Sequence, residues 1–302
     1  MVAIIIIGAG LVLAPALFQM FSRAPEGRVM IDEFRPYMSV DEIGQFEGYM
    51  EQIRAADGET RNVLAPALAL SETDEGAFPL VTTWVDQWPD IDADMSDLLV
   101  TMGDNIDNYA AVDALPSFDL FPWFFVIPGV AIAGVGVALL RSRDPRTRTR
   151  LTWVAGGLGV ALVAAPFAFQ MFTRAPQGGD MIDDFRPMMV PERVQDVQGY
   201  FITMGGAEGQ LRNDVVPTAI ELTALTADDL PAITQFSAAW AGIVNDFAPM
   251  VATMSDNVDN FEAVAALPPF PLFPWFFVVP GVLVALLAWR SRPAGDPIES
   301  TT

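Results

Sequence analysis

The chain has 302 residues, 52% of them hydrophobic, and a mean hydropathy of +0.35, which allows two modest domains together with several membrane spans. Its formal net charge of −22 disfavours nucleic acid as a partner, because a phosphate backbone requires a basic binding surface. The sequence contains no Cys and no His. This excludes disulfides, thiolate metal sites and Cys nucleophiles, and it removes the commonest general base.

Residues 1–21 are predicted to form the first membrane span. Residues 2–20 are an apolar run close to the roughly 20 residues that cross a hydrocarbon core as a helix. A signal peptide is the alternative, but no charged segment precedes the run. The sequence FQMFSRAP at 18–25 recurs as FQMFTRAP at 169–176, inside the chain, which favours a retained anchor.

Sequence motifs recur through the two halves of the chain. Residues 30–38 match 181–189 at an offset of 151, and residues 101–109 and 120–129 match 253–261 and 272–281 at an offset of 152. We describe two residues, one from each half, as matching when one of these offsets relates them. Such dense matches predict a tandem duplication, whose period of about 150 residues is that of a domain and not of a solenoid repeat.

Between its apolar runs each half carries about a hundred residues, 22–120 and 173–272, in which apolar residues recur at helical spacing. A capping box at Ser39 predicts the start of a helix. Gly58 is expected to break that helix, and Pro249 to kink a later one. No segment alternates with the two-residue period of a strand, so each half is predicted to form a small helical bundle.

The other membrane spans are predicted at residues 121–140, 151–172 and 273–289. The loop between the halves, 141–150, contains five Arg and one Asp, which predicts a cytoplasmic location under the positive-inside rule. The tail at 290–302 is expected on the same side.

The acidic segments are expected outside the cell membrane. Segment 22–120 carries 21 acidic residues and five Arg, and segment 173–272 carries 14 acidic residues and four Arg. The FPWFF motifs at 121–125 and 273–277 are typical of the aromatic belt at the outer interface. Two spans in each half give both halves the same orientation, related by a pseudo-twofold axis along the membrane normal. The chain is thus predicted to be a multi-pass protein of the cell membrane with two extracytoplasmic domains.

The spans carry no ionisable residue between their ends, whereas ion and proton pathways usually require one. They are therefore interpreted as anchors. Small residues allow close helix packing at such sites. The glycines expected to serve this purpose are Gly129, Gly134, Gly156, and Gly159 or Gly281.

The repeated Asp-Asn motif is the strongest candidate for a cation site. It comprises the carboxylates Asp104, Asp107, Asp256 and Asp259, each followed by Asn. Oxygen ligands suit a hard cation such as Ca²⁺, but the spacing is not that of a calcium loop. A solvated helix face or a helix cap is the favoured interpretation, and no metal is predicted.

Several arginines are candidates for binding a ligand or an interface. Asp32 with Arg35, and Asp183 with Arg186, recur in the two halves, and Arg61 and Arg212 lie in the middle of the predicted bundles. A guanidinium could clamp a carboxylate or phosphate, but a local ion pair is the favoured interpretation. The Met and aromatic stripes are interpreted as core.

The sequence contains no nucleotide-binding, metalloprotease or hydrolase motif, so an enzyme and a cofactor are not expected. The order span, bundle, span resembles the helical ectodomains of bacterial sensory receptors in outline, but neither half is followed by a cytoplasmic output domain. The leading hypothesis is an accessory or scaffold subunit whose ectodomains dock a protein partner in the envelope or membrane. A ligand-binding or sensory module is the alternative, and a channel or transporter is less favoured.

Overall fold

A computed structural model describes residues 1–71 and 75–291. No strand occurs in these residues, which confirms the all-helical prediction. Most of the predicted tail, 292–302, lies outside them. The α-helices are α1 (Val2–Leu17), α2 (Met20–Phe34), α3 (Val40–Glu59), α4 (Ala65–Leu70), α5 (Pro79–Asp104), α6 (Ile106–Asp113), α7 (Phe121–Arg141), α8 (Pro145–Ala168), α9 (Met171–Phe185), α10 (Pro191–Gln210), α11 (Val216–Leu222), α12 (Pro231–Asp256), α13 (Val258–Ala265) and α14 (Phe273–Arg290).

Three helical stretches are long and apolar enough to cross a membrane, namely Phe118–Arg141, Pro145–Ala168 and Phe270–Arg290. Helices α1 and α2 give a fourth span if the two, bent by 58°, are counted together. These findings confirm the prediction of several apolar helices that could cross a membrane. The basic loop is shorter than expected, because the Asp144 side chain accepts a hydrogen bond from the Thr147 amide at 2.8 Å and starts α8.

The apolar helices α1 and α8 end before the predicted ends of the first and third spans. Gln19 and Gln170 adopt the left-handed conformation, with φ of 53° and 54°. A residue in this conformation ends a helix. The apolar helices α1 and α8 therefore finish at Leu17 and Ala168, and the shared FQM motif marks the break rather than the last turn of a span.

The chain divides into two compact units, each of which contains residues of both halves. The membrane unit comprises Met1–Ile31, Asn108–Ile182 and the chain from Asn260 onward, and the bundle unit comprises Asp32–Asp107 and Asp183–Asp259. The structure differs here from the prediction of one bundle in each half. In the bundle unit α3 packs on α5 and α12, and α10 packs on the same two helices. Each half contributes one helical hairpin, α3 with α5 or α10 with α12, which has only two apolar stripes. The four-helix bundle buries the stripes of both hairpins together.

The core of the bundle unit consists of the predicted Met and aromatic stripes, including Trp84, Met95, Phe236 and Phe247, all fully buried. Ser39 starts α3 as predicted, since its hydroxyl accepts a hydrogen bond from the Glu42 amide at 3.2 Å.

The break expected at Gly58 does not occur, and α12 contains Pro249, where a kink and not an end was predicted. Helix α3 continues through Gly58 to Glu59, and α12 is continuous from Pro231 to Asp256. Pro249 is exposed, so water can satisfy the carbonyl that loses its helical partner.

Close backbone contacts in the membrane unit occur within the helix pairs α1–α7 and α8–α14. A Cβ atom added at Gly8 would lie 2.5 Å from the Ala133 nitrogen, and one at Gly159 would lie 2.6 Å from the Gly281 oxygen. A Cβ atom at Gly129 would lie 2.8 Å from the Gly8 oxygen, and one at Gly281 would lie 2.7 Å from the Gly159 oxygen, so both glycines allow close packing as the sequence predicts. Gly134 meets open space and Gly156 makes only ordinary contact, so the prediction for these two glycines is wrong.

Candidate functional site

A π-helical segment follows α3 and another follows α10, at Thr60–Leu64 and Leu211–Val215. A π turn moves backbone hydrogen bonds one residue further back and releases a carbonyl from its usual partner. The side-chain amides of Asn62 and Asn213 donate to the carbonyls of Gly58 and Gly209, each at 2.7 Å. Asn62 and Asn213, which directly follow Arg61 and Arg212, therefore stabilise the two π-helical segments.

The candidate arginines of these segments bind buried acids one helical turn earlier. Arg61 Nε lies 2.8 Å from Asp57, whose side chain is 10% exposed, and Arg212 Nε lies 3.0 Å from Glu208, which is 5% exposed. Arg61 also donates to the carbonyl of Val85 on α5. Burial raises the pKa of the Asp57 carboxyl, and the hydrogen bond from Arg61 opposes that rise. Both arginines thus compensate a buried carboxylate.

The candidate Asp-Arg motifs form local ion pairs. Arg35 lies 3.0 Å from Asp32, and Arg186 lies 3.3 Å from Asp183, both at a spacing of three residues. All four side chains are about half exposed or more, and exposed pairs of this kind contribute roughly 0–1 kcal/mol.

In the Asp-Asn motifs the structure distinguishes the two residue types. All four candidate carboxylates, Asp104, Asp107, Asp256 and Asp259, are exposed. Across the described residues, no group of three or more Asp and Glu could hold a metal ion.

By contrast, Asn105 and Asn257 are completely buried. The Asn105 amide donates to Asp184 at 3.0 Å, and the Asn257 amide donates to Glu33 at 2.6 Å. Each bond joins one half of the chain to the other. The motif is recognisable in the sequence, but its carboxylates were the candidate functional groups, and the role of its buried amides was not predicted.

A second reciprocal contact joins tyrosine and aspartate across the halves. The Tyr49 hydroxyl on α3 donates to Asp246 on α12 at 2.6 Å, and the Tyr200 hydroxyl on α10 donates to Asp94 on α5. The two tyrosines occupy matching positions, as do the two aspartates. This contact was not predicted, because neither aspartate belongs to a repeated motif.

The second of these contacts is more strongly charged. Arg193 also donates to Asp94, and this bond lowers the pKa of the Asp94 carboxyl despite its partial burial. Burial and the hydrogen bond to Asp94 raise the pKa of Tyr200 to about 12. The matching position of Arg193 in the first half is Glu42, so the other contact has no such cation there.

A third reciprocal contact caps helix N-termini. Glu59 Oε2 accepts a hydrogen bond from the Ile233 amide at 2.8 Å, at the start of α12. Gln210 Oε1 accepts from the amides of Leu80 and Val81 at 2.9 and 3.1 Å, at the start of α5. These amides have no partner within their own helices, so an acceptor from the other half stabilises both helix ends.

The end of the bundle unit beyond these caps carries exposed apolar side chains. The short helices α4 and α11 pack against each other there. Leu70 is 88% exposed, Leu222 is 53% exposed and Ile220 is 40% exposed. We call these three residues the apolar end of the bundle. Exposed apolar residues that occur together are typical of interaction surfaces.

The three kinds of reciprocal contact join the two halves, and they fix the register between α3, α5, α10 and α12. Comparisons of the chain with protein-family models, with curated proteins and with solved structures found no match.

Proposed function

We propose that the chain is a non-enzymatic membrane protein of the cell envelope, an accessory or scaffold subunit whose bundle unit docks a protein partner. The observation that carries this proposal is the apolar end of the bundle, where Leu70 and Leu222 are largely exposed on two short helices. Burying such side chains in a partner contributes about 25 cal/mol per Å² of apolar area removed from water.

The engagement of the polar candidates supports a non-enzymatic role. A catalytic site needs a nucleophile and a base aimed at a common reacting atom. Arg61 and Arg212 instead compensate buried acids, and Asn105 and Asn257 bind acids of the other half. These groups hold helices together.

The reciprocal contacts also support a tandem duplication that folds as a pseudo-dimer. Two matching residues can touch each other only near a twofold axis. In the bundle unit Trp84 stacks on Phe236, and in the membrane unit Phe125 lies 4.6 Å from Phe277 between ring centroids. Phe121 and Phe273 form a further matching pair at 5.8 Å.

The charge distribution suggests the orientation and the partner. The basic residues at 141–150 favour a cytoplasmic location for that loop, and the acidic segments then lie outside the membrane. A partner that covers the apolar end would carry an apolar centre with a basic rim, because complementary charge speeds association and excludes other partners.

The test is affinity purification from native membranes in mild detergent, with identification of the co-eluting proteins. A stoichiometric partner is expected with the wild-type chain and is expected to be lost with the double variant Leu70→Asp, Leu222→Asp. Ile202→Asp is the matched control, since Ile202 is a 78% exposed residue on the side of the bundle. Absence of any stoichiometric partner, or its retention by the double variant, would contradict the proposal.

The alternative is a ligand-binding or sensory module, and the paired π-helical segments favour it, because such segments are frequent at functional sites. In that case Arg61→Gln and Arg212→Gln would weaken the binding of a small anionic molecule while a protein partner still co-purified. Purified wild-type protein that gains no thermal stability from a panel of small anions would argue against this alternative.

A further inference from the structure

Two clefts of the membrane unit occupy matching positions on its surface. The first lies between α7 and α8 and has a volume of about 240 Å³, with Trp123, Phe124, Ala161 and Met171 in its lining. The second lies between α1 and α14 and has a volume of about 530 Å³, with Gly10, Met20, Trp275 and Phe276 in its lining. The second cleft lies within the range of roughly 300–1,000 Å³ that is usual for pockets that hold small molecules, and the first lies just below that range.

The clefts follow from the unequal packing of the membrane helices. Glycines bring the backbones of α1 and α7, and of α8 and α14, into direct contact. Between the two pairs, bulky rings meet instead: Phe124 packs on Phe169 at 5.9 Å, and Phe18 packs on Phe276 at 6.1 Å. The rings hold the pairs apart and leave an apolar groove on each side. These helices are apolar enough to cross a membrane, and in a bilayer such a groove would open toward hydrocarbon.

An arginine lies about one helical turn from the lining residues of each cleft. Arg174 follows the lining residue Met171 by one helical turn, and its Nη1 donates to the Ala114 carbonyl at 2.8 Å, two residues before the lining residue Pro116. In the other cleft, Arg23 stands one turn after Met20 and donates to Ala266 at 2.8 Å. These bonds orient each guanidinium, whose planar fork carries five N–H donors.

We propose that each cleft binds one phospholipid, with an acyl chain in the groove and the phosphate on Arg174 or Arg23. The apolar lining matches the chain, and the arginine matches the phosphate by charge and by bidentate hydrogen bonding. Trp123 and Trp275 line the clefts and are 49% and 51% exposed, which suits the boundary between hydrocarbon and headgroups.

The test uses the full chain, delipidated in detergent and titrated with phosphatidylglycerol, phosphatidylcholine or diacylglycerol under native mass spectrometry. Both phospholipids are expected to bind in two copies, and diacylglycerol, which lacks phosphate, at least about tenfold more weakly. Arg23→Gln and Arg174→Gln are each expected to remove one bound phospholipid, whereas Arg35→Gln, an exposed arginine of the bundle unit, should remove none.

A second variant fills a cleft directly. A Cβ atom at Gly10 meets nothing within 4 Å, so Gly10→Leu is expected to fold and to exclude one phospholipid. Gly134→Leu is the matched control, an equally open glycine on a membrane helix outside both clefts. Unchanged phospholipid counts in Gly10→Leu and in the arginine variants would overturn the proposal. The proposal would also be overturned if Gly10→Leu retained both phospholipids but no longer bound a second copy of the chain or a helix of a partner protein.

Discussion

Trp84 stacks on Phe236 in the centre of the bundle unit, with ring centroids 5.9 Å apart and an interplanar angle of 15°. The two residues occupy matching positions in the two halves, and both are fully buried. Trp88 and Trp240 pack edge-on against this pair at 6.0 and 5.4 Å. The contact at the core and the reciprocal polar contacts around it make the two halves mutually dependent, since neither hairpin can bury its aromatic stripe without the other.

The reciprocal helix caps give a prediction in which each half serves as the control for the other. Glu59→Ala and Gln210→Ala are each expected to lower the free energy of unfolding by about 1 kcal/mol, the usual cost of losing an N-cap. Glu59→Gln should cost less than Glu59→Ala, because Gln still accepts the hydrogen bond, as it does at the matching position 210, and loses only the interaction of the carboxylate with the helix dipole.

Gln210→Glu should stabilise by about 0.3–1 kcal/mol, because a carboxylate at a helix N-terminus interacts favourably with the helix dipole. Thermal unfolding of the detergent-purified chain measures these differences. Equal losses in Glu59→Ala and Glu59→Gln would show that the acceptor is not what stabilises α12.

The two tyrosine–aspartate contacts should differ in their dependence on pH. The pKa of Asp94 is lowered, chiefly by the Arg193 guanidinium, so the stabilisation is present above the unfolded pKa and is lost as the pH falls through the folded one. Asp94→Asn is expected to cost about 1.5–3 kcal/mol at neutral pH, as for other hydrogen bonds to charged groups, and to reduce the loss of stability in acid.

Asp246→Asn is the matched control. The pKa of Asp246 is lowered mainly by the Tyr49 hydroxyl, without a cation at the position of Arg193, so the expected cost is smaller than that of Asp94→Asn. Unfolding curves in denaturant at pH 7 and at pH 3 to 4 compare the two variants. The same acid response in both would contradict the role assigned to Arg193.

The helical class, the membrane spans and the buried stripes could be predicted from the sequence, because each depends on a local pattern. Trp84, Trp88, Ile91 and Met95 repeat every three or four residues, and all four are buried. The association of both halves in one bundle unit could not be predicted in this way. The same stripe suits a partner from the same half, from the other half or from a second chain.

The candidate site shows the same limit. Asn105 and Asn257 belong to a repeated motif, but nothing in that motif identifies Asp184 and Glu33 as their partners. Residue types typical of cation sites drew attention to the neighbouring Asp104, which is exposed. The prediction of close packing failed at Gly134 for a related reason, since composition does not reveal which side of a helix faces its neighbour.

Labelling of single cysteines tests the orientation in the membrane, and the Cys-free sequence allows it without background. Ser142→Cys in the basic loop is expected to resist an impermeant maleimide in intact cells, because the loop is proposed to be cytoplasmic. Ser255→Cys, at an exposed position of α12, is expected to react. Both should react after the membrane is permeabilised, and the opposite pattern in intact cells would reverse the proposed topology.

The last prediction separates the two residue types of the Asp-Asn motif. Asn105→Ala and Asn257→Ala should each destabilise the bundle unit by about 1–3 kcal/mol, because each removes a buried amide and leaves a carboxylate and a helix carbonyl without that donor. Asp104→Asn and Asp256→Asn should change the free energy of unfolding by less than about 0.5 kcal/mol, since both carboxylates are exposed.

A Ca²⁺ site at these carboxylates would behave differently, because a bound ligand at a hundred times its dissociation constant stabilises by about 2.7 kcal/mol. We expect Na⁺ at matched ionic strength to raise the melting temperature as much as Ca²⁺ does, through general screening of the acidic surface. A rise specific to Ca²⁺ that disappears in Asp104→Asn and Asp256→Asn would establish the cation site and refute this prediction.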